Sequence, residues 1–485
     1  MKSSLLQEIL LYRYRYIIGY LFFIILLLGL LLTDFGSVPQ GISSAEMSST
    51  VSSNSLNVLK PNAGDVINLP YHLLQKASVS LLGLSPISIR LPSLILALAA
   101  GLVLALTLLQ WFRKGVAMLA LLIATASVPF ITMGRVGTPG VLYMLLLLVI
   151  LLGAVKLTTH KTGTFGWKLL VAIAGVLMLY MPLGIYTMVG LLIAGVFHPH
   201  IRHQIKRTKP WQMAVLITVS CLLLAPIVLA IINDNNTLQT LFGLNAIKDT
   251  LSGTGLLASL SLIAKSLFMF NKPFVGEMIT PFLTLPFMLF VAFGLIRCIY
   301  DHHSARSYLL LIWLAIAVPL LVINPSQFAL LFVPCLMLMA IGIETFIREW
   351  YKLFPRNPYA RVSGLIPVTL ITLGMVTIAT SRYFYGYYYT DTSTIYKPEL
   401  SAIQQVAKTG TTTGLIVPSE QVAFYDILRR SYPKMTVSSS ITDPGTKQLI
   451  VLSSSMVSQP SVPSKIVTSH LSQNAVVLRV YNKAE

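Results

Sequence analysis

The feature that most constrains this chain is a series of apolar runs, each about twenty residues long, the length of helix that crosses a bilayer core. In lipid a helix satisfies its own backbone hydrogen bonds, which an isolated strand or loop cannot do. A mean hydropathy of +0.76 and a charged fraction of 11% exclude an ordinary soluble protein. The runs predict eleven transmembrane helices, near residues 16–33, 91–112, 116–132, 138–155, 168–182, 184–197, 212–232, 279–296, 307–323, 327–346 and 362–381.

The number of spans across 168–197 is undecided from the sequence, because Pro182 and Gly184 fit either two short spans or one kinked span. Orientation follows from basic residues, which cluster at Arg113-Lys114, at 202–209 and at 348–361. These clusters predict a cytoplasmic N-terminus in the plasma membrane. The net charge of +19 is then explained by membrane topology and by contact with anionic lipid head groups. Nucleic-acid binding is not indicated, since no basic face is interleaved with exposed aromatics.

Three parts follow from this pattern. A membrane domain spans 1–381 and contains two long outer loops, 34–90 and 233–278. Segments with an apolar helical face in both loops predict helices lying along the membrane interface. After the last span, residues 382–485 alternate short β-rich runs with helical ones, which predicts a small extracytoplasmic α/β domain.

The first outer loop holds two acids, Glu46 and Asp65, in a chain with few charges. Carboxylates at the mouth of a helical bundle are candidates for catalysis. Each also has a structural interpretation. Glu46 suits the start of a helix, where the dipole favours an acid, and Asp65 suits a helix cap.

Five further residues are candidates for substrate binding. Three of them are cations, which are suited to bind a phosphate group. Arg90, at the outer end of a predicted helix, could instead snorkel or pair with a loop carboxylate. Arg135 could equally form a structural ion pair, and Lys272 lies in the second outer loop. His72 and Asn68 lie on a predicted interfacial helix, where packing is the alternative for the histidine.

The same loop carries motifs that point to a family. Pro39-x-Gly41-Ile42, then Leu69-Pro70-Tyr71, and then the run from Leu81 to Ser93 ending in Arg90-Leu91-Pro92-Ser93 follow one another, with Thr132-Met133-Gly134-Arg135-Val136 further on. In these motifs the chain resembles the dolichyl-phosphate-mannose protein mannosyltransferase-like family, which consists of multi-pass glycosyltransferases of the GT-C fold. A looser likeness covers 268–271. The resemblance implies transfer of a sugar from a polyprenyl-phosphate carrier to a protein, lipid or wall-polymer acceptor outside the membrane.

Three positions depart from the family pattern. The family pairs an Asp with a Glu in this loop, and the Asp is its expected base, but this chain reads Ala45-Glu46. A Lys is common where Asn68 stands, and an Arg is common where Gln327 stands. A non-catalytic relative that binds lipid-linked glycan or scaffolds envelope enzymes is therefore an alternative, and a lipid or glycan transporter is a third.

Two further patterns bear on cofactor binding, a group of histidines and the glycine-rich loops that bind nucleotides. His198, His200 and His203 lie among Arg and Lys in a cytoplasmic loop, where added cations would repel a metal. No Gly-rich phosphate loop follows a strand and precedes a helix, which argues against a soluble nucleotide donor. We therefore predict no protein-bound metal cluster. Whether a divalent metal assists the lipid-linked donor is left open.

Overall fold

The computed structural model describes residues 15–57, 60–159, 163–269, 274–275, 278–325, 327–389, 395–408, 412–440, 448–453, 455, 462–468 and 476–482. Up to the second outer loop the elements are α1 Arg15–Leu32, β1 Ile42–Ser43, α2 Ser44–Ser55, α3 Ala63–Val66, α4 Leu69–Leu82, α5 Pro86–Trp111, α6 Lys114–Ala126, α7 Val128–Arg135, α8 Gly140–Thr159, α9 Phe165–Met178, α10 Gly184–Phe197, α11 Pro199–Lys206 and α12 Pro210–Asn233.

The second half begins with the helices and strands of the second outer loop. Its elements are α13 Asn236–Leu241, α14 Leu244–Leu251, α15 Gly253–Phe268, β2 Phe274–Val275, β3 Met278–Ile279, α16 Leu285–Tyr300, α17 Ala305–Ile323, α18 Ala329–Leu353, α19 Pro358–Ser363, α20 Leu365–Tyr389, β4 Tyr396–Lys397, α21 Glu399–Ala407, β5 Thr413–Ile416, α22 Val422–Asp426, β6 Met435–Ser438, β7 Gln448–Leu452, β8 Lys465–Thr468 and β9 Val476–Asn482.

The membrane domain is a bundle of apolar helices. Within the described ranges, six helices are long and apolar enough to cross a membrane, or up to nine if each of three bent pairs is one span. Three shorter apolar helices accompany them. Each predicted span overlaps a helix, and the undecided stretch 168–197 resolves into α9 and α10, so the multi-pass helical class is confirmed. The total of eleven spans stays a prediction.

Close helix packing holds this bundle together, as the pair α16 and α18 illustrates. An added Cβ at Gly294 would lie 1.9 Å from the Leu338 carbonyl oxygen, and one at Gly342 would lie 2.0 Å from that of Phe290. Small residues let membrane helices approach this closely, because lipid supplies no hydrophobic force between them. The two glycines therefore fix how near the helices stand.

Three helices fold the first outer loop over one end of the bundle. Ser43 caps α2, and its hydroxyl accepts a hydrogen bond from the Glu46 amide at 3.2 Å. Ser85 caps α5 in the same way, accepting from the Ser88 amide at 3.1 Å, with Pro86 at the first helical position. Such caps satisfy amides that a helix start leaves free. They set where α2 and α5 begin.

A five-stranded mixed sheet forms the C-terminal part, in the order β6-β5-β7-β9-β8. The strands β6, β5 and β7 run parallel, and β9 is antiparallel to β7 and β8. The predicted α/β class is confirmed. The last bundle helix runs to Tyr389 rather than to 381, because the aromatic run continues the helix. The division into 1–381 and 382–485 stays a prediction.

The C-terminal part packs against the first outer loop. Ile42 and Ser43 of β1 pair with Lys397 and Tyr396 of β4. One apolar cluster includes Ile42, Val79 and Ile89 together with residues of α21 and the sheet. The loop is therefore enclosed between the bundle and this sheet.

Candidate functional site

Glu46 and Arg90 form an ion pair in which neither side chain has any exposed surface. Arg90 donates from Nε to Glu46 Oε1 at 2.7 Å and from Nη2 to Oε2 at 3.1 Å. Two backbone amides also donate to the Glu46 carboxylate, that of Gly137 to Oε1 at 2.8 Å and that of Ser43 to Oε2 at 3.0 Å. Four hydrogen bonds thus occupy both oxygens. Of the two predicted interpretations of Arg90, pairing with a loop carboxylate is the one observed.

The two buried arginines hold the chain that joins α1 to α2. Arg90 also donates to the carbonyls of Pro39, at 2.9 Å, and Gly41. Arg135 donates to the carbonyls of Leu30, Asp34 and Val38 at 2.8–3.1 Å. Arg135 Cζ also lies 5.5 Å from the centre of the Tyr383 ring. Both guanidinium groups are directed at the protein's own backbone, and a substrate role for either stays a prediction without geometric support.

Asp65 lies in the first turn of α3 and stabilises the segment before it. Its Oδ1 accepts from the Asn57 amide and its Oδ2 from the Asn62 amide, both at 3.1 Å. This is the capping role that the sequence allowed. Lys272 lies outside the described residues, so its candidate role is unchanged.

A cavity of about 700 Å³ lies between the loop helices and the ends of the bundle helices. The two acids predicted as catalytic candidates, Glu46 and Asp65, do not line it. The physical reason is that each carboxylate turns away to satisfy backbone amides and, for Glu46, a buried guanidinium. The described lining is Ala45, Ser48, Ser49, Ser52, Gly64, Ile67, Asn68, His72, Pro129, Thr132, Met133, Val136, Thr138, Pro139, Gly140, Tyr143, Met181, Pro182, Leu262, Phe282, Gln327, Phe328, Ala329, Leu330 and Tyr396.

The three departures from the family pattern all lie in this lining. Ala45 comes from α2, Asn68 from the turn before α4, and Gln327 from the turn before α18. Sequence reasoning identified each as a substitution but had no means of placing them together. It also missed Tyr143 and Tyr396, which are single polar residues without a motif, and it quoted Thr132 only as part of a family motif.

Several polar side chains of the cavity wall are hydrogen-bonded within the protein. The Tyr143 hydroxyl donates to Thr187 at 3.3 Å, and the Tyr396 hydroxyl lies 3.3 Å from that of Tyr387. Within the described lining, three buried atoms have no hydrogen-bond partner, namely Asn68 Oδ1, His72 Nδ1 and Gln327 Oε1. Buried polar atoms are seldom left unpaired, so these three mark lining side chains whose hydrogen bonding the protein itself does not complete.

The described side chains that line the cavity carry no net charge. The described lining contains no Asp, Glu, Lys or Arg. Burial alone lowers the pKa of His72 to about 4, so its imidazole is uncharged near neutral pH. Burial, with the Glu46 charge as a smaller cause, raises the pKa of Tyr396, which keeps that hydroxyl protonated.

No cluster of three or more His, Cys, Asp or Glu side chains placed to hold a metal occurs in the described ranges. On the other side of the bundle, the His198 and His200 rings lie 5.7 Å apart. The Arg and Lys residues of that loop surround them in sequence.

Known proteins resemble this chain in both sequence and structure. Residues 70–229 match the family model described as dolichyl-phosphate-mannose-protein mannosyltransferase. ArnT from Cupriavidus metallidurans bound to undecaprenyl phosphate superposes with a TM-score of 0.59 over 95% of this chain and 97% of its own, at 12% identity. The chain has the GT-C glycosyltransferase fold. The resemblance noted in the sequence is thereby confirmed.

Archaeal oligosaccharyltransferases share this GT-C fold. The Archaeoglobus fulgidus enzyme tethered to an acceptor peptide gives a TM-score of 0.54 at 12% identity, over 88% of this chain. AglB from the same organism, in complex with an inhibitory peptide and a dolichol-phosphate, gives 0.53 at 12% identity over 90% of this chain and 69% of its own. The chain spans only 64% of the length of the first of these. No curated protein matches it in sequence.

Proposed function

We propose that this protein is a membrane glycosyltransferase that moves a sugar from a polyprenyl-phosphate carrier to an acceptor on the outer face of the plasma membrane. The observation that carries the proposal is the cavity of about 700 Å³ at the ends of the bundle helices, with apolar and polar walls, in a chain of GT-C fold. Solved neighbours of that fold hold undecaprenyl phosphate or dolichol-phosphate.

The two walls suit the two halves of such a donor. Apolar side chains that fit a prenyl chain come from α7, α15 and the start of α18, including Met133, Leu262 and Phe328. On the polar wall, Asn68, His72 and Gln327 offer the buried atoms that lack a partner. A neutral sugar is bound through hydrogen bonds rather than charge, and the described wall offers a few uncharged polar side chains.

The proposed topology follows the positive-inside pattern. The N-terminus lies in the cytoplasm, and the cavity and the C-terminal sheet lie outside. The acceptor is then a protein, a lipid or a wall polymer. The side-chain NH2 groups of Asn68 and Gln327 are suited to donate hydrogen bonds to the departing phosphate. Lys272 remains a candidate for the same task.

A second candidate function is binding of lipid-linked glycan without catalysis. One observation favours it, namely that Ala45 presents a methyl group to the cavity where the family has its expected base. The described lining then holds no carboxylate to accept the proton of an attacking hydroxyl. This candidate predicts tight donor binding and no turnover.

A reconstitution experiment separates these functions. Purified protein in lipid nanodiscs receives a panel of polyprenyl-phosphate sugars and a pool of envelope acceptors. Release of polyprenyl phosphate supports the transferase, and donor binding without release supports the binder. Counter-flow of labelled lipid in vesicles, with neither sugar transfer nor stable donor binding, would overturn both in favour of a transporter.

A further inference from the structure

His72 has an unusual environment for a buried histidine. Its side chain is 5% exposed and lines the cavity. Its Nδ1 has no hydrogen-bond partner among the described residues. A structural histidine in a protein interior is expected to use its ring nitrogens in hydrogen bonds. Packing alone therefore does not account for an imidazole here.

The backbone around His72 is fixed to the bundle. Asn68 adopts a left-handed conformation with φ of 55°. Its amide donates to the Tyr180 carbonyl at 2.9 Å, and its own carbonyl accepts from the His72 amide at 3.0 Å. Pro70 sits in the first turn of α4, where a missing N–H costs nothing. The imidazole is thus presented by a rigid helix start, as a catalytic group requires.

The other candidates for the base, the two carboxylates of the first outer loop, already accept hydrogen bonds from the protein. Glu46 is saturated by the Arg90 guanidinium and two amides, and Asp65 by two amides. Among the described lining residues, no carboxylate occurs, and His72 is the single imidazole. Among the described lining residues, the one nitrogen base is therefore the imidazole of His72.

We propose that His72 is the catalytic base, accepting the proton of the acceptor hydroxyl as that hydroxyl attacks the donor sugar. This inference rests on the proposed glycosyltransferase function. The acceptor oxygen forms a bond to the anomeric carbon while the bond from that carbon to the phosphate oxygen breaks. The polyprenyl phosphate leaves with the electron pair, and the hydroxyl proton goes to the unprotonated ring nitrogen. From there it passes to solvent or to the departed phosphate.

The charge state of the site agrees with this role. Burial lowers the pKa of His72 to about 4, so the ring is neutral and able to accept a proton near pH 7. No charged group contributes to that shift. The titratable groups on the elements around it are Tyr71 and Lys76 on the same helix, Tyr143 and Tyr396 in the cavity wall, and the closed Glu46–Arg90 pair. The Lys76 ammonium donates to the Leu56 carbonyl at 3.0 Å.

The test compares His72→Gln, His72→Asn and His72→Ala with the wild-type protein in nanodiscs, using the polyprenyl-phosphate sugar that wild type turns over. We expect kcat to fall by about 100-fold or more in all three variants, the range for loss of a general base. Donor affinity should be retained. Added imidazole should restore turnover to His72→Ala, with a rescued rate that rises with pH as free imidazole loses its proton. His302→Gln, which changes an exposed histidine outside the cavity lining, should match wild type.

The outcomes are distinguishable. Absence of polyprenyl phosphate release by wild type, with every donor tried, overturns the proposed function itself. Turnover by wild type together with an unchanged kcat in His72→Gln or His72→Asn overturns only the role of His72. Loss of kcat without imidazole rescue and with loss of donor binding assigns His72 a structural role and also overturns the inference. The two polar variants fill the position without creating a void, so folding can be verified by donor binding.

Discussion

Arg90 and Glu46, 44 residues apart in sequence, meet through a 2.7 Å hydrogen bond in which both side chains are fully buried. The pair closes the first outer loop onto the start of α5, and its remaining hydrogen-bond capacity goes to the loop backbone. An acid that the sequence offers as a catalyst is in this fold part of the framework that shapes the cavity. The first predictions concern that framework.

Breaking the Arg90–Glu46 pair should strongly destabilise the protein. Arg90→Met or Glu46→Gln leaves an uncompensated buried charge, and we expect a loss of about 3–5 kcal/mol in the free energy of unfolding. The double variant should lose less than the sum of the two. The measurement is thermal or denaturant unfolding of the purified protein in one detergent. Arg297→Ala is the control, because the Arg297–Asp301 pair is exposed and should be worth about 1 kcal/mol or less. Equal effects at both pairs would contradict this account.

Gly41→Ala should weaken the joint between the loop and the C-terminal sheet. Gly41 has φ of +94°, and an added Cβ would lie 2.5 Å from the backbone carbonyl of Lys397. The left-handed strain alone costs about 1–2 kcal/mol. The close contact should also disturb the pairing of β1 with β4. We expect a lower Tm and faster proteolytic release of the C-terminal part. Gly29→Ala is the matched control, since nothing lies within 4 Å of its added Cβ. A similar Tm for both variants would be evidence against the strain.

Ala45→Asp should partly restore turnover to His72→Ala. Ala45 lies in the first turn of α2 and lines the cavity, so a carboxylate there reaches the same space as His72. An acid also suits that turn through the helix dipole. We expect the double variant to recover about tenfold or more of the lost kcat, a part of what a positioned base contributes. The measurement is release of polyprenyl phosphate. Ala45→Asn, which has the same shape and no basic carboxylate, should give no recovery, and equal recovery by it would exclude base replacement.

Acidification should destabilise the wild-type protein through His72. Its pKa is about 4 in the folded state against an ordinary value of 6.5. Between these values the unfolded chain binds the proton and the folded chain does not, so stability falls as the pH drops from about 6.5 to about 4. The full loss is on the order of 3 kcal/mol. Unfolding at pH 7 and pH 4.5 should show a smaller drop for His72→Gln than for wild type or His302→Gln. An identical drop in all three proteins would contradict the assignment.

Local patterns in the sequence predicted the bundle helices and several strands. The apolar runs predicted the bundle helices, because a bilayer imposes the same requirement on every span. The β-rich runs near 414–417 and 448–452 predicted strands of the C-terminal sheet. The motif Ser43-Ser44-Ala45-Glu46 is also a capping box, and Asp65 serves as a cap. Reading Ser43 and Glu46 together as a box would have directed this acid to the helix start rather than to catalysis.

The candidate site could not be read in the same way. Ala45, Asn68 and Gln327 are far apart in sequence, and each carries only a weak local signal. Likewise, nothing near Arg135 indicated that its partners would be the carbonyls of Leu30, Asp34 and Val38. Long-range partners of this kind depend on how the helices pack.

By itself the sequence determined that this chain is a multi-pass helical membrane protein with a folded outer loop and a small α/β domain. Helix length, apolar periodicity and capping are local properties, so they can be read from neighbouring residues. Only the tertiary structure decided that Glu46 closes on Arg90 while His72 lines a neutral cavity with Ala45, Asn68 and Gln327. The physical reason is that burial and hydrogen bonding are set by the residues that packing brings together, and those lie in four separate segments of the chain.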